Sequence, residues 1–143
     1  MEFITKSARE TQKVGRKIAV NLVKETPSII ALTGDLGSGK TTFVQGFVKG
    51  LGVRKRIISP TFILMRTYKA KKKNTLYHLD LYRIESDFEK EIKNLGVKDL
   101  WKEEKNILVI EWAEKIKNLL PDDTIWIKFE YLSDGQRKII IER

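Results

Sequence analysis

The sequence predicts an α/β fold, a three-layer sandwich whose mixed, mostly parallel sheet carries helices on both faces and ends in a β-hairpin. Continuous apolar runs such as residues 107–110 are typical of strands buried on both sides. Val14, Ile18 and Leu22 have the spacing of an amphipathic helix. Because strand and helix patterns alternate, parallel strands with helical crossovers are expected. A length of 143 residues suits a single domain over residues 1–143.

Capping residues indicate where the helices begin. Ser7 and Glu10 form a capping box, in which two side chains satisfy N–H groups that lack partners in the first turn. Ser86 and Glu89 repeat the pattern, and glycine residues favour the helix ends. The four predicted helices cover residues 7–25, 41–49, 86–95 and 113–120.

Short segments rich in β-branched and aromatic residues predict the strands. The predicted strands cover residues 28–33, 56–58, 62–69, 75–82, 106–110, 124–131 and 137–142. Polar residues at 71–74 favour a tight turn between two of these strands. Ser133, Asp134 and Gly135 favour a hairpin between the last two, because aspartate followed by glycine is typical of hairpin turns.

The segment after the strand at 28–33 indicates the chemistry. Gly34, Gly39, Lys40 and Thr41 fit the G-x-x-x-x-G-K-[ST] phosphate-binding loop at every required position. Glycines let backbone N–H groups converge on phosphate oxygens. Lys40 can reach the β- and γ-phosphates, Thr41 can ligate magnesium, and the helix that follows adds the positive end of its dipole. The sequence therefore predicts a P-loop NTPase-like fold that binds a nucleoside triphosphate; the alternative is a glycine-rich structural turn.

Two acids follow buried strands and complete the predicted site. Glu111 ends an apolar strand in the Walker B arrangement and is predicted to hold magnesium together with Thr41. His78, Asp80 and Tyr82 alternate, so they share one face if their strand is regular. Asp80 could orient an attacking water there, or the three residues could form an ordinary polar strand face.

The loop at residues 59–62 follows the helix of the phosphate-binding loop. Its Thr61 could reach the metal and the γ-phosphate if the loop moves. On spacing alone, an ordinary loop containing proline explains these residues equally well.

Positive charge is concentrated in one part of the chain. The net charge is +9, and residues 36–79 contain ten lysines or arginines and no acidic residue. Such a segment could attract RNA phosphates or an acidic partner surface. Lysines at residues 69–73 taken alone are typical of a solvated hairpin tip, and no aromatic residue interrupts them to stack on bases.

Other classes of function are made unlikely by composition. Zero cysteines exclude disulfides and thiol catalysis, and a single histidine argues against a histidine-rich zinc site. The sequence lacks an apolar run of about eighteen residues, so no membrane span is expected. The first five residues lack the features of a secretory signal, and a cytoplasmic location is expected.

Four segments together resemble a known family. They are GDLGSGKTTF at residues 34–43, SPTF at 59–62, HLDLYR at 78–83 and EW at 111–112. In this order and spacing they resemble the bacterial ATPases of tRNA threonylcarbamoyladenosine synthesis, the TsaE family. The resemblance extends from Glu10, Thr11 and Gly15 to the final strand. Ser38 stands where that family often has alanine, a change that should not disturb the loop.

The resemblance implies roles for individual residues. Lys40, Asp80 and Glu111 would be catalytic, with Asp80 needed for hydrolysis, and Thr41 and Glu111 would hold Mg²⁺. Thr61 would belong to a segment that senses the γ-phosphate. The residues implied to bind ATP or ADP are Glu10, Thr11, Asp35, Leu36, Gly37, Ser38, Gly39, Lys40, Thr41, Thr42, Thr61 and Trp112. Either Glu10 or Thr11 would contact the adenine, and Trp112 could instead pack in the core.

The resemblance also implies partners. The family's ATPase docks on a heterodimer of the threonylcarbamoyltransferase catalytic subunit and its non-catalytic paralogue, TsaD and TsaB. That complex modifies adenosine 37 of tRNAs reading ANN codons, and ATP hydrolysis permits repeated turnover. The chain would therefore be a weak ATPase alone, stimulated by its partners, and would meet tRNA indirectly.

Two other functions are compatible with parts of the sequence. A small-molecule kinase shares the phosphate-binding loop but needs an acceptor pocket and an arginine-bearing lid, and no such lid is obvious here. A non-enzymatic RNA-binding module would use the basic segment and would bind tRNA with a steep salt dependence.

Overall fold

The computed structural model describes residues 1–22, 28–55 and 64–142. Its strands are β1 (Glu2–Thr5), β2 (Ser28–Thr33), β3 (Met65–Lys69), β4 (Thr75–Asp80), β5 (Asn106–Glu111), β6 (Ile125–Tyr131) and β7 (Arg137–Glu142). Its helices are α1 (Ala8–Leu22), α2 (Lys40–Gly50), α3 (Phe88–Leu95) and α4 (Val97–Leu100). Short 3-10 segments cover Lys71–Lys73, Ala113–Leu119 and Ser133–Gly135.

The strands form one seven-stranded sheet in the order β1-β7-β6-β2-β5-β4-β3. The four neighbours β6, β2, β5 and β4 are parallel. The edges are antiparallel, with β3 beside β4 and with β7 between β6 and β1. The predicted mixed sheet and C-terminal hairpin are confirmed. The carboxyl ends of the four parallel strands lie at one edge of the sheet, where ligands bind in folds of this type.

Alternating side chains give the sheet a hydrophobic core on each face. In β2, Ile30 and Leu32 pack with α1 and α2, and Ile29 and Ala31 pack on the side of α3 and α4. This alternation follows from the two-residue repeat of a strand. Phe43 is fully buried in the first core, and burying a side chain of this size contributes roughly 1.5–3 kcal/mol. Helices on both faces confirm the predicted three layers.

Helices α1 and α2 touch through their backbones. A side chain on Gly46 would overlap the backbone carbonyl of Gln12, and one on Gly15 would overlap that of Phe43. Glycine is therefore required on both helices at this crossing, because only a residue without Cβ permits so close an approach. The contact fixes α1 against the helix that begins at Lys40.

Several elements differ from the sequence-based predictions. The strand β1 was not predicted; it is only four residues long and depends on pairing with β7. Helix α3 begins after Asp87, which has a φ of 54° and caps the helix without a side-chain hydrogen bond, so the predicted cap at Ser86 is wrong. The helix α4 follows Gly96 directly and was also missed. The segment at 113–119 is a 3-10 helix interrupted at Ile116, not the regular helix expected.

The first capping box forms with one change. Ser7 Oγ accepts a hydrogen bond from Glu10 N at 3.1 Å, as predicted. The Glu10 carboxylate accepts from the backbone N–H of Lys6, one residue earlier than the motif requires. The predicted helix end at 23–25 and the predicted strand at 56–58 lie outside the described residues. No helix in the described ranges is long and apolar enough to cross a bilayer.

Candidate functional site

A cavity of about 410 Å³ opens at the carboxyl ends of β2, β4 and β5. Its volume falls within the range of small-molecule sites. The cavity is lined by Ser7, Ala8, Thr11, Leu36, Gly37, Gly39, Lys40, Thr41, Thr42, Asp80, Tyr82, Glu111, Trp112, Gly135 and Arg137. The phosphate-binding loop, both predicted acids and the start of α1 therefore meet in one place.

The phosphate-binding loop has the backbone shape that its glycines allow. Gly37 and Gly39 have φ angles of 77° and 105°, in the left-handed region that other residues rarely adopt. Ser38 N donates to Asp35 O at 3.1 Å and closes the turn before α2. Ser38 Oγ is buried and has no hydrogen-bond partner among the described residues. The loop thus leads the first N–H groups of α2 to the cavity, an arrangement that suits an anion.

Lys40 is held at the centre of the site. Its side chain is only 5% exposed, its Nζ donates to Gly34 O, and Nζ lies 3.5 Å from the centroid of the Trp112 ring. Burial lowers the pKa of Lys40 from its usual value, and the nearby carboxylates, first Glu114 and then Glu111, partly offset this effect. The ammonium is therefore desolvated and ready to interact with an anionic ligand.

Trp112 forms one wall of the cavity beside Lys40. It follows β5 and has a φ of 60°, an uncommon conformation for a residue with a side chain. Its ring lies 5.3 Å from that of Tyr82 between centroids, and it also packs against the core on the side of α3. Trp112 therefore lines the cavity and also packs in the core, and its contact with a nucleotide stays a prediction.

The two acids come from neighbouring parallel strands. The register of β4 and β5 places Asp80 opposite Glu111, and both carboxylates are almost fully buried. Glu111 Oε2 lies 2.7 Å from Nε2 of His78, which is itself completely buried. Asp80 Oδ1 accepts a hydrogen bond from Tyr82 N at 3.0 Å. Each acid is therefore oriented by a specific donor.

The hydrogen bond between His78 and Glu111 identifies the donor atom of the pair. A carboxylate only accepts, so Nε2 of His78 carries the proton that Glu111 receives. His78 Nδ1 is buried without a partner in the described parts of the chain. The sequence placed His78 and Asp80 on one strand face but gave no sign of the His78–Glu111 pair, which depends on the strand order.

The structure brings most of the predicted site residues together. Ten of them line the cavity: Thr11, Leu36, Gly37, Gly39, Lys40, Thr41, Thr42, Asp80, Glu111 and Trp112. Glu10, Asp35 and Ser38 do not line it. Thr11 is buried and its Oγ1 lies 2.7 Å from Thr5 Oγ1, whereas the Glu10 carboxylate is tied to Lys6. Thr61 lies outside the described residues.

Arg137 is the most notable lining residue that the sequence did not indicate. It begins β7, and its aliphatic carbons lie about 3.7 Å from the position of a Cβ on Gly39. Its guanidinium lies 4.5 Å from the centroid of the Tyr131 ring and donates to Gly135 O at 3.1 Å. Only the position of the C-terminal hairpin in the sheet brings this arginine to the phosphate-binding loop, so no local signal could have found it.

The residues present fit a magnesium nucleotide. Gly37 has nothing within 4 Å of a Cβ position, so the cradle is open where phosphates would lie. Lys40 provides a buried cation at the same loop. Thr41 and Glu111 offer the hydroxyl and carboxylate oxygens that Mg²⁺ prefers.

Comparisons with known proteins agree with this geometry. The family profile described as "Threonylcarbamoyl adenosine biosynthesis protein TsaE" matches residues 5–139. The protein named tRNA threonylcarbamoyladenosine biosynthesis protein TsaE from Treponema pallidum is 36% identical over 99% of both chains. Its namesake from Rickettsia conorii is 41% identical over 92% of this chain and 71% of its own length.

A solved structure is also similar. The crystal structure of YdiB from Bacillus subtilis superposes with a TM-score of 0.75 and 28% identity, over 97% of this chain and 82% of that one. The family profile covers nearly the whole chain, the Treponema relative matches along almost its full length, and the YdiB fold covers 97% of this chain. This P-loop NTPase-like protein therefore belongs to the TsaE family.

Proposed function

We propose that this chain binds and hydrolyses magnesium-ATP, as a single ATPase domain over residues 1–143, to support threonylcarbamoylation of adenosine 37 in tRNAs reading ANN codons. The observation that carries the proposal is the meeting of Lys40, Thr41, Asp80 and Glu111 around one cavity. The process is inferred from the relatives, which are named tRNA threonylcarbamoyladenosine biosynthesis proteins. The setting proposed is the cytoplasm.

Lys40 and the loop bind the phosphates in this proposal. In the structure, the Lys40 ammonium is held by Gly34 O and the Trp112 ring. A phosphate group would be a stronger partner than either, because it carries a full negative charge, whereas a carbonyl oxygen and an aromatic ring face carry only partial ones. Thr42 and the first backbone N–H groups of α2 add donors that need no rearrangement of the helix.

Glu111 and Thr41 hold the metal. A magnesium ion held by these two residues would neutralise negative charge on the phosphates. His78 fixes the Glu111 carboxylate by occupying Oε2, which leaves Glu111 in one orientation beside the phosphate-binding loop. Orientation of a metal-binding carboxylate by a buried donor raises metal affinity, as outer-shell partners commonly do.

Asp80 positions the attacking water. Its Oδ1 receives the Tyr82 N–H, so the carboxylate cannot rotate freely, and it faces the cavity opposite Glu111. An acid in this position can accept a proton from water as the water attacks phosphorus. Asp80 and Glu111 therefore take different roles although their strands are neighbours.

The proposed partners are the threonylcarbamoyltransferase catalytic subunit and its non-catalytic paralogue, TsaD and TsaB. The free chain should hydrolyse ATP slowly. Its Arg137, beside the loop, donates to backbone carbonyls and stacks on Tyr131, so it is engaged in the chain itself. Docking would complete the site, as arginine fingers complete those of other phosphate-loop enzymes. The ATP-bound form should bind the heterodimer more tightly than the ADP-bound form.

The experiment is steady-state ATP hydrolysis by the chain alone, with the heterodimer, and with heterodimer and tRNA. We expect stimulation of at least roughly tenfold by the partners, with Lys40→Ala as the inactive control. Binding to the heterodimer is compared in a non-hydrolysable ATP analogue and in ADP. Rapid hydrolysis by the chain alone that partners do not change would reject the proposal and favour a free-standing kinase.

A further inference from the structure

Six exposed basic side chains gather at the end of α2 that is far from the nucleotide cavity. We call this surface the basic patch. It consists of Lys49, Arg54, Lys55, Lys71, Lys72 and Lys73. Helix α2 has 11 residues, so its two ends lie about 16 Å apart along the helix axis. No residue of the patch lines the nucleotide cavity.

Tertiary contacts bring the two halves of the patch together. Lys71 N donates to Leu51 O at 2.9 Å, and the aliphatic carbons of Lys71 pack over Gly52, where any Cβ would overlap them. This contact joins the β3–β4 turn to the end of α2. Lys72 and Lys73 have φ angles of 58° and 61°, so the backbone of the turn holds a conformation that is uncommon for lysine. The patch is therefore a defined surface.

The positive charges of the patch are not neutralised locally. Within the described ranges, the ion pairs are His78–Glu111, Lys128–Glu130 and Lys138–Glu2, and none involves the patch. A lysine near a helix C-terminus is stabilising, and lysines protect an edge strand from pairing. These effects explain why lysine is found at position 49 and at one position of the turn. They do not explain six like charges in one place, because like charges repel one another.

We infer that the basic patch binds the phosphate backbone of RNA directly. Phosphate contacts are made by lysine and arginine and need no aromatic platform. Protein interfaces, in contrast, have cores rich in aromatic residues and poor in lysine. Among the residues that the structure describes, the exposed large apolar ones are Met1, Ile4, Val20, Leu36, Tyr82 and Tyr131, and all lie outside the patch. The composition of the surface thus favours RNA over an acidic protein.

This inference goes beyond the proposed ATPase function, in which tRNA is met only through the partners. It predicts contact that is independent of sequence and sensitive to salt, because base edges are not read. The nucleotide cavity and the patch lie at opposite ends of α2. Loss of the patch should therefore leave ATP hydrolysis intact.

The test measures binding of a labelled, unmodified tRNA transcript to the full chain by fluorescence anisotropy over a series of salt concentrations. The patch variant is Lys71→Gln/Lys72→Gln/Lys73→Gln. The matched control is Lys90→Gln/Lys93→Gln/Lys98→Gln, which removes the same charge from exposed lysines of α3 and α4, on the other face of the sheet. Unlabelled RNA and poly-glutamate serve as competitors, and circular dichroism checks folding.

We expect the patch variant to bind at least tenfold more weakly at low salt, with the slope of log K against log salt reduced by about 3. The control should change affinity less than about twofold. Equal losses in both variants would mean that net charge alone is responsible, and equal competition by poly-glutamate would mean an acidic protein partner. Either result overturns the inference, as does a Kd for the unchanged chain weaker than about 100 μM.

ATP hydrolysis by the same variants separates this inference from the proposed function. The patch variant should hydrolyse ATP within about twofold of the unchanged chain, because the cavity is untouched. If the unchanged chain hydrolyses no ATP even with the heterodimer and tRNA, but the RNA result is as expected, the ATPase proposal fails and the patch stands. A patch variant that loses hydrolysis at normal stability would contradict the separation of the two sites.

Discussion

Helix α2 carries one lysine in its first turn and one in its last, and the two lysines have opposite environments. Lys40 at the first turn is buried, hydrogen-bonded to Gly34 O and surrounded by carboxylates that influence its pKa. Lys49 in the last turn is exposed and joins a patch in which no side chain is ion-paired within the described residues. A buried, fixed charge acts over one contact distance, whereas an exposed cluster acts through a field that salt screens.

The largest expected difference between substitutions of Lys40 and Lys49 is in the rate of ATP hydrolysis. Lys40→Ala removes the buried cation of the phosphate-binding loop, so hydrolysis should fall by about a hundredfold or more. Lys49→Ala, on the same helix, should stay within about twofold of the unchanged chain. Steady-state phosphate release measures both. Substantial hydrolysis by Lys40→Ala would remove the basis for the proposed site.

The two acids offer the next comparison, within the buried end. Asp80→Asn should bind magnesium-ATP nearly normally but hydrolyse it about a hundredfold more slowly, because only the positioned base is lost. Glu111→Gln should instead weaken the magnesium dependence of ATP binding. Nucleotide titrations with and without magnesium, together with single-turnover rates, distinguish the two. Equal loss of affinity in both variants would show that the roles are assigned wrongly.

His78 tests whether Glu111 must be oriented. His78→Leu keeps the bulk but removes the donor to Glu111 Oε2, and the magnesium concentration for half-maximal hydrolysis should rise roughly tenfold. His78→Gln retains an N–H donor on a side chain of similar length and should restore much of the loss. A purely packing role would predict equal behaviour of the two variants at equal thermal stability.

The smallest expected effect is that of Lys40→Met on the free energy of unfolding, and this effect depends on pH. The folded-state pKa of Lys40 is lowered below its usual 10.5, mainly by burial. At pH values between the lowered folded-state pKa and 10.5, the unfolded chain binds more protons than the folded chain. The free energy of unfolding of the unchanged protein therefore rises with pH over that range. Lys40→Met lacks this dependence. Its stability relative to the unchanged protein should be greatest at neutral pH and decline as pH approaches 10.5.

Denaturant melts at several pH values would measure this effect in the absence of nucleotide. The matched control is Lys49→Met, which makes the same substitution at an exposed lysine of the same helix. A difference between Lys40→Met and the unchanged protein that stays constant from neutral pH to above 10.5 would contradict the burial of a charged Lys40.

Local motifs explain what could be predicted from the sequence. The phosphate-binding loop, the apolar β5 and the hairpin β6–β7 are encoded by adjacent residues, and the structure contains all three. Long-range pairing explains what could not. The place of Arg137 beside Gly39 depends on the sheet order, and the His78–Glu111 bond depends on parallel pairing of β4 and β5. Asp87 rather than Ser86 caps α3 because the backbone there turns through a left-handed residue, which composition does not reveal.

The backbone contact between α1 and α2 makes these two helices move as one rigid unit. Because Gly15 and Gly46 leave no side chains at the crossing, there is no layer of rotamers that could repack to let one helix slide over the other. Thr11 on α1 and Lys40 on α2 line the same cavity. A partner that pushes on the outer surface of α1 would therefore displace both walls of the cavity in one rigid movement, so contacts made outside the cavity would change its shape.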